Sequence, residues 1–184
     1  MANTFQMLRE KDFIKGILKE NSENDNAKNA PYPILDKHIG ETYVAQSRAS
    51  NIRSLYDSYI RAIRWTSDHI DNAGIIGFVS GSDYVEKSTI DGLQKCLAKE
   101  FTNIDVLNLR GDLHKNMFSN GRAQKEQNIF GSGRMAGITV TLFIKNPNVS
   151  GFCKIYSHNI GDNLITKEKL NTLKSFCNVD GISS

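Results

Sequence analysis

Cysteine is scarce in this chain of 184 residues: Cys96, Cys153 and Cys177 are odd in number and far apart. That spacing gives no paired zinc or thiol-redox motif, and it suits small buried or inert thiols in a reducing compartment. Long apolar runs are missing too. No stretch approaches the roughly 20 residues that cross a bilayer, and the N-terminus lacks the basic-then-apolar layout of a signal peptide, so a soluble, cytoplasmic protein is expected. Charge of one sign is also in short supply, because 23 Lys and Arg against 20 Asp and Glu leave a formal net charge of only +3. His38, His69, His114 and His158 are too scattered for a metal site, and no nucleophile stands beside a base. No internal repeat is visible.

What is present fits one ordinary globular domain: 39% hydrophobic and 23% charged residues, in a chain long enough to bury roughly 70% of its unfolded surface. The placement of charge says more than its total. Arg110, Lys115, Arg122, Lys125 and Arg134 oppose Asp112 and Glu126 in one polar segment, and five minus two equals the whole chain's excess of +3. Such a segment suits phosphate contacts, although a solvated loop has the same composition.

Hydrophobic spacing predicts an amphipathic helix over 4–19, with Phe5, Leu8, Ile14, Ile17 and Leu18 near one face. The Asn-rich stretch ENSENDNAKNAPYP that follows reads as a loop, since Asn and Asp favour local turns and Pro31 and Pro33 lack amide donors. A substantial helix should begin at Ser54 as N-cap and end near Asn72-Ala73-Gly74, and GIIGFVS (74–80) should be a short buried strand because it is nearly all apolar. Ser88 opens a second helix whose inward stripe is Leu93, Cys96 and Leu97. IDVLNL (104–109), GITVTLFIK (137–145) and FCKIYSH (152–158) read as strands, and TKEKLNTLKSF (166–176) as a closing helix. The order is α/β, with the last large strand pair close enough for an antiparallel partnership.

The runs YDSYIRAIRWTSDHI, GIIGFVSGSDYVE, DGLQKCLAKEF, VLNLRGD, IFGSGR and ITVTLFIKNP stand in this order between Tyr56 and Pro147, within a region of resemblance that covers residues 24–165. In that order they resemble the adenine-specific methyltransferase region of Type ISP restriction-modification enzymes, in which a methyltransferase is fused to a nuclease and a DEAD/DEAH-box helicase. The resemblance implies part of a class I methyltransferase (Rossmann-like) sheet, with 75–80 as its fifth strand, 104–109 as its sixth and 137–145 as the antiparallel seventh. Residues 1–23 then form a helix and linker outside the resemblance, and 166–184 a C-terminal helix and tail. The cofactor implied is S-adenosylmethionine and the partner DNA. A strand with a Gly-rich turn, which would let backbone amides approach that cofactor, is expected in the first half of such a domain. Residues 1–28 hold one glycine, Gly16, inside a helical pattern. The cofactor-binding half is therefore expected to be absent from this chain.

Asn29-Ala30-Pro31-Tyr32 is one letter from the Asn-Pro-Pro-Tyr motif that accepts hydrogen bonds from a flipped adenine and stacks on its ring. Such a motif needs a buried strand before it to fix the acceptors. Asn24-Asp25-Asn26-Ala27-Lys28 precedes it here, so a connecting loop is expected, and no residue is assigned a catalytic role. By the resemblance, Tyr59 matches an aromatic that lies against the cofactor's adenine, or is a core residue one turn from Leu55. Phe143 matches a position that stacks on the extruded base in some relatives, or is ordinary strand packing. Arg122, Lys125 and Arg134 lie on the part of the resemblance that faces DNA, and are expected to contact its backbone. The function implied is that of an incomplete N6-adenine methyltransferase, inactive alone. Its rivals are one half of a split methyltransferase, completed by a chain supplying the missing half, and a non-enzymatic DNA-binding module.

Overall fold

In the computed structural model, residues 32–111, 127–130 and 137–176 are described. The expected helix at 4–19 and Asn29, Ala30 and Pro31 lie outside them. Among the described residues no helix is long and apolar enough to cross a membrane. The chain divides into two compact units, one of residues Met1–Gly74, Lys87–Glu100 and Lys145–Ser150, the other of Ile75–Glu86, Phe101–Ile144 and Gly151–Ser184.

The described part of the first unit is helical. Pro33 opens α1 (Pro33–Ile39), a helix the Pro-rich loop reading did not anticipate. Proline is at home in a first turn, where its missing N–H has no partner to lose. The Tyr32 N–H donates to Asp36 Oδ2 at 3.0 Å and closes the turn. The helix runs on as a π-helical turn, Gly40–Val44, which carries the fully buried Tyr43. Next, α2 (Ser58–His69) starts three residues later than expected, its N-cap being Asp57 rather than Ser54, because Asp57 is extended (φ −64°, ψ 147°) and Arg53–Tyr56 form a separate 3-10 turn. Further along the chain, α4 (Asp91–Glu100) follows a 3-10 turn at Ser88–Ile90 and buries Leu93, Cys96 and Leu97 as expected.

Two arginines of α2 tie these helices together. Arg61 makes a forked pair with Asp36 of α1, at 2.7 and 2.9 Å. Arg64 donates to Asp68 Oδ1 at 2.9 Å and Glu100 Oε1 at 2.7 Å, with its guanidinium 5.3 Å from the Tyr43 ring centroid. Burial opposes the Arg64 charge, but the Glu100 hydrogen bond, Tyr43 and the two carboxylates outweigh it and hold the group protonated above its ordinary range. In α4, Gly92 is essential to the packing. A Cβ there would stand 1.9 Å from the Tyr43 carbonyl oxygen.

The second unit holds a four-stranded mixed sheet of order β1-β3-β2-β4, a partial Rossmann-like α/β arrangement, built from β1 (Gly74–Gly81), β2 (Asn103–Arg110), β3 (Ile138–Lys145) and β4 (Lys154–Asn159). The short helix α3 (Asp83–Glu86) follows β1, and α5 (Thr166–Ser175) closes the unit. β3 pairs antiparallel with β2, Ile104 opposite Phe143 and Leu107 opposite Val140, as expected of that strand pair. β3 also runs against β1, since Gly81 faces Gly137 and Gly77 faces Leu142. β4 pairs parallel with β2, Ile104 opposite Ile155. β1 is not the buried strand its apolar sequence suggested. It lies at one margin of the sheet, only Ile76 is buried, and Ile75 and Val79 are 67% and 56% exposed. The core at the other end of the sheet joins Leu107, Leu109, Ile138 and Ile160 to Ile129, Leu173 and Phe176.

Candidate nucleic-acid interface

Because β1 and β2 both run against β3, their carboxyl ends lie at the same side of the sheet, together with the amino end of β3 and, through the parallel pairing, the carboxyl end of β4. In open α/β sheets this is the side where ligands bind. Here it is unusually rich in polar side chains. Tyr84 of α3 is buried with its hydroxyl hydrogen-bonded to Thr141 Oγ1, while Thr139, fully buried, points its hydroxyl at the Ser80 carbonyl. Burial pushes the Tyr84 phenol up, although its bonds to Thr141 and Thr139 work against the shift. The Asn108 amide donates to Glu86 Oε1 at 3.1 Å.

At its end β2 turns sharply. A register shift between Asn108 and Arg110 marks a bulge, and Arg110 and Gly111 both take positive φ (57° and 89°). The Arg110 N–H donates to Asn108 Oδ1 at 2.9 Å, which holds a conformation that costs a non-glycine residue about 1–2 kcal/mol. The Arg110 guanidinium meets Asp162 at 3.3 Å across a surface gap. Its Nε is buried and finds no acceptor among the described residues.

The segment that carries the chain's basic excess leaves the sheet at Arg110 and returns to it at Gly137, both at this side. Its described part, residues 127–130, is fixed in place. The Gln127 N–H donates to the Leu164 carbonyl at 3.2 Å, and the Thr166 hydroxyl, at the start of α5, donates to the Asn128 carbonyl at 3.1 Å. Asn128 is buried, and its Oδ1 accepts the Phe130 N–H at 3.0 Å. Ile129 turns into the apolar core while Phe130 stays 60% exposed.

Of the residues the sequence singled out, Arg122, Lys125 and Arg134 lie outside the described residues. Tyr59 sits half-buried on α2, next to the buried Ser58 and Ile60. Phe143 is 1% exposed, its ring 5.3 Å from that of Phe101 and 6.4 Å from that of Phe78. In this arrangement Phe143 packs the core of the sheet. Phe130 and the Tyr84–Thr141 pair were not singled out, and Arg110 was named only as one cation of the basic segment. Phe130 left a signal as a large aromatic in a largely polar, Gly-rich run.

The turn after β1, Gly81-Ser82, is the one that superficially suggests a binding loop, but its Ser82 N–H is bonded to the Gly137 carbonyl at 2.9 Å. Among the described residues no group of three or more His, Cys, Asp or Glu is placed to hold a metal.

No family model matches the sequence, and no curated protein matches it. Solved structures do. A nuclease-deletion mutant of the Type ISP restriction-modification enzyme LlaGI, in complex with a DNA substrate mimic, is 38% identical over 84% of this chain and 14% of its own, with a TM-score of 0.72. The ATP-dependent Type ISP restriction-modification enzyme LlaBIII, bound to DNA, is 34% identical over 88% of this chain and 11% of its own, with a TM-score of 0.79. A DrdV–DNA complex is 35% identical over 83% of this chain and 14% of its own, with a TM-score of 0.73. Over most of its length the chain is thus similar in both sequence and fold to one segment of Type ISP restriction-modification enzymes, and it spans only 11–14% of the chains it matches.

Proposed function

We propose that this chain is the DNA-facing second half of an N6-adenine DNA methyltransferase domain of the Type ISP restriction-modification kind, and that alone it transfers no methyl group. The observation that carries the reading is the sheet. The strands that the resemblance matches to the fifth and sixth run the same way, and the one matched to the seventh runs against both from between them. DNA is the partner this reading brings, since the similar enzymes named above were seen bound to DNA or a mimic of it. Arg110, at the side where class I sheets meet their ligands, supplies a cation for its phosphates, and Arg122, Lys125 and Arg134 of the same basic segment supply the others.

Methyl transfer needs the sulfonium and the acceptor amine held together, and that proximity is worth about 7–11 kcal/mol of barrier at best. Residues 1–28 hold a single glycine and the sequence has no Asn-Pro-Pro-Tyr run, so neither holder is expected in this chain. Tyr59 keeps the role of an aromatic against the cofactor's adenine only where another polypeptide brings that cofactor. β1 is a marginal strand among the described residues and carries the exposed Ile75 and Val79, which favours a second form of the same reading, one half of a split enzyme, because an apolar marginal strand invites a covering element.

The test is incorporation of labelled methyl groups from S-adenosylmethionine into adenine-containing duplex DNA, by the chain alone and mixed with a polypeptide carrying the Gly-rich half. No incorporation alone, together with DNA binding that weakens steeply with salt and with Arg122, Lys125 and Arg134 changed to Ala, is the expected result. Incorporation on mixing selects the split enzyme. Methylation by the chain alone, or binding indifferent to salt, overturns the proposal.

A further inference from the structure

Phe130 is an anomaly in physical terms. A large aromatic usually gains by burial, yet this one is 60% exposed beside a residue, Ile129, that turns into the core. It is not exposed by looseness. The buried Asn128 fixes the Phe130 N–H, the Thr166 hydroxyl fixes the Asn128 carbonyl, and Gln127 is bonded to both Leu164 and Thr166. The fold therefore spends a buried polar residue on presenting the ring outward. Gly111 stands against this scaffold: a Cβ on it would lie 3.1 Å from the Asn128 Cα, and its φ of 89° suits glycine alone. Three further Cα steps of about 3.8 Å then bring Arg110 and Phe130 within roughly 16 Å of each other.

Arg110 is held as deliberately. Its left-handed backbone is fixed by Asn108, its Nε is buried without an acceptor among the described residues, and its outer ion pair with Asp162 is exposed. An exposed pair of this kind is weak and exchangeable. A scaffolded aromatic and an under-satisfied guanidinium with Cα atoms no more than roughly 16 Å apart can serve one strand of nucleic acid, the ring on a base and the cation on the backbone.

We propose that Phe130 stacks on an unpaired nucleobase of bound DNA, and that the Arg110 guanidinium takes a phosphate of the same strand. The inference rests on the DNA reading above and adds what that reading lacks, a contact with bases rather than with backbone. Phe152 marks the contrast. It is fully exposed too, but it precedes the amino end of β4, at the opposite side of the sheet, with no comparable scaffold.

The test measures affinity of the full chain for a fluorescein-labelled duplex with a single-stranded gap, by anisotropy across a salt series, for the wild type and for Phe130→Ala, Phe130→Trp, Arg110→Ala and Phe152→Ala. Phe130→Ala should weaken binding about 5- to 150-fold without changing the salt slope, and Phe130→Trp should restore it. Arg110→Ala should lower the slope by about 1, and Phe152→Ala should change nothing. Equal thermal midpoints show that a loss is not unfolding. If the wild type binds and Phe130→Ala binds equally well, or Phe152→Ala loses as much, the stacking role is overturned while the DNA reading stands. If the wild type binds no DNA at low salt, both fall.

Discussion

Replacing Gly92 with Ala is the sharpest test of the helical unit. A Cβ at this position would lie 1.9 Å from the Tyr43 carbonyl oxygen, 2.9 Å from the Tyr43 carbonyl carbon and 3.0 Å from Ser47 Cβ. An ordinary carbon–oxygen contact is about 3.3 Å, so α4 and the π-helical turn must part by more than about 1 Å. The obstacle is backbone, which has no rotamer to offer. Gly→Ala in a helix gains at most about 1 kcal/mol of propensity. Overpacking costs about 1–3 kcal/mol or more, and a collision with a carbonyl belongs at the top of that range. The separation also loosens the Arg64 guanidinium from the Tyr43 ring, since Arg64 is bonded to Glu100 at the far end of α4. The net expectation is a loss of about 2 kcal/mol, or a midpoint lower by about 4–8 °C for a chain of this size. Thermal and urea unfolding followed at 222 nm read it directly. An unchanged or raised midpoint would refute the close apposition of Gly92 and Tyr43.

Thr141→Val keeps the shape of β3 but removes a buried hydroxyl partner of Tyr84, and should cost about 1–2 kcal/mol in urea unfolding with the slope unchanged. Asp105 lies on β2 between its ladder partners Leu142 and Tyr156, and burial raises its carboxyl above the usual range. Its folded form therefore binds a proton more tightly than the unfolded chain does, so stability falls as pH rises from its unfolded value through its folded one. Asp105→Asn should raise the unfolding midpoint at pH 7, with the gain vanishing toward pH 3. A gain that persists in acid would contradict the assignment.

Much of the sheet could be read from sequence, because GIIGFVS, IDVLNL and GITVTLFIK are apolar and β-branched enough to be strands in any context, and each was located to within two residues. Exposure could not be read the same way. Ile75 and Val79 look buried by composition, and only the position of β1 at the margin of the sheet leaves them out. The Pro31/Pro33 pair was read as loop punctuation, although Pro33 at a first helical turn is also a start signal, which the Asp36 carboxylate completes. Asp57 divides what the 3.6-residue period showed as one helix from Ser54. At the candidate interface the basic segment was visible as charge. The outward Phe130 was not, because its orientation is set by Leu164 and Thr166, more than thirty residues further along the chain. Phe143 shows the same limit in reverse: its burial depends on Phe78 and Phe101, which no local pattern pairs with it.

The measurement that bears most directly on the central claim is isothermal titration of S-adenosylmethionine into the isolated chain, with and without a saturating DNA duplex. A DNA-facing half that lacks the cofactor-binding half should give no binding heat in either case. Stoichiometric binding with a micromolar dissociation constant would contradict the account, because it would require the cofactor-binding half that the proposal says this chain lacks.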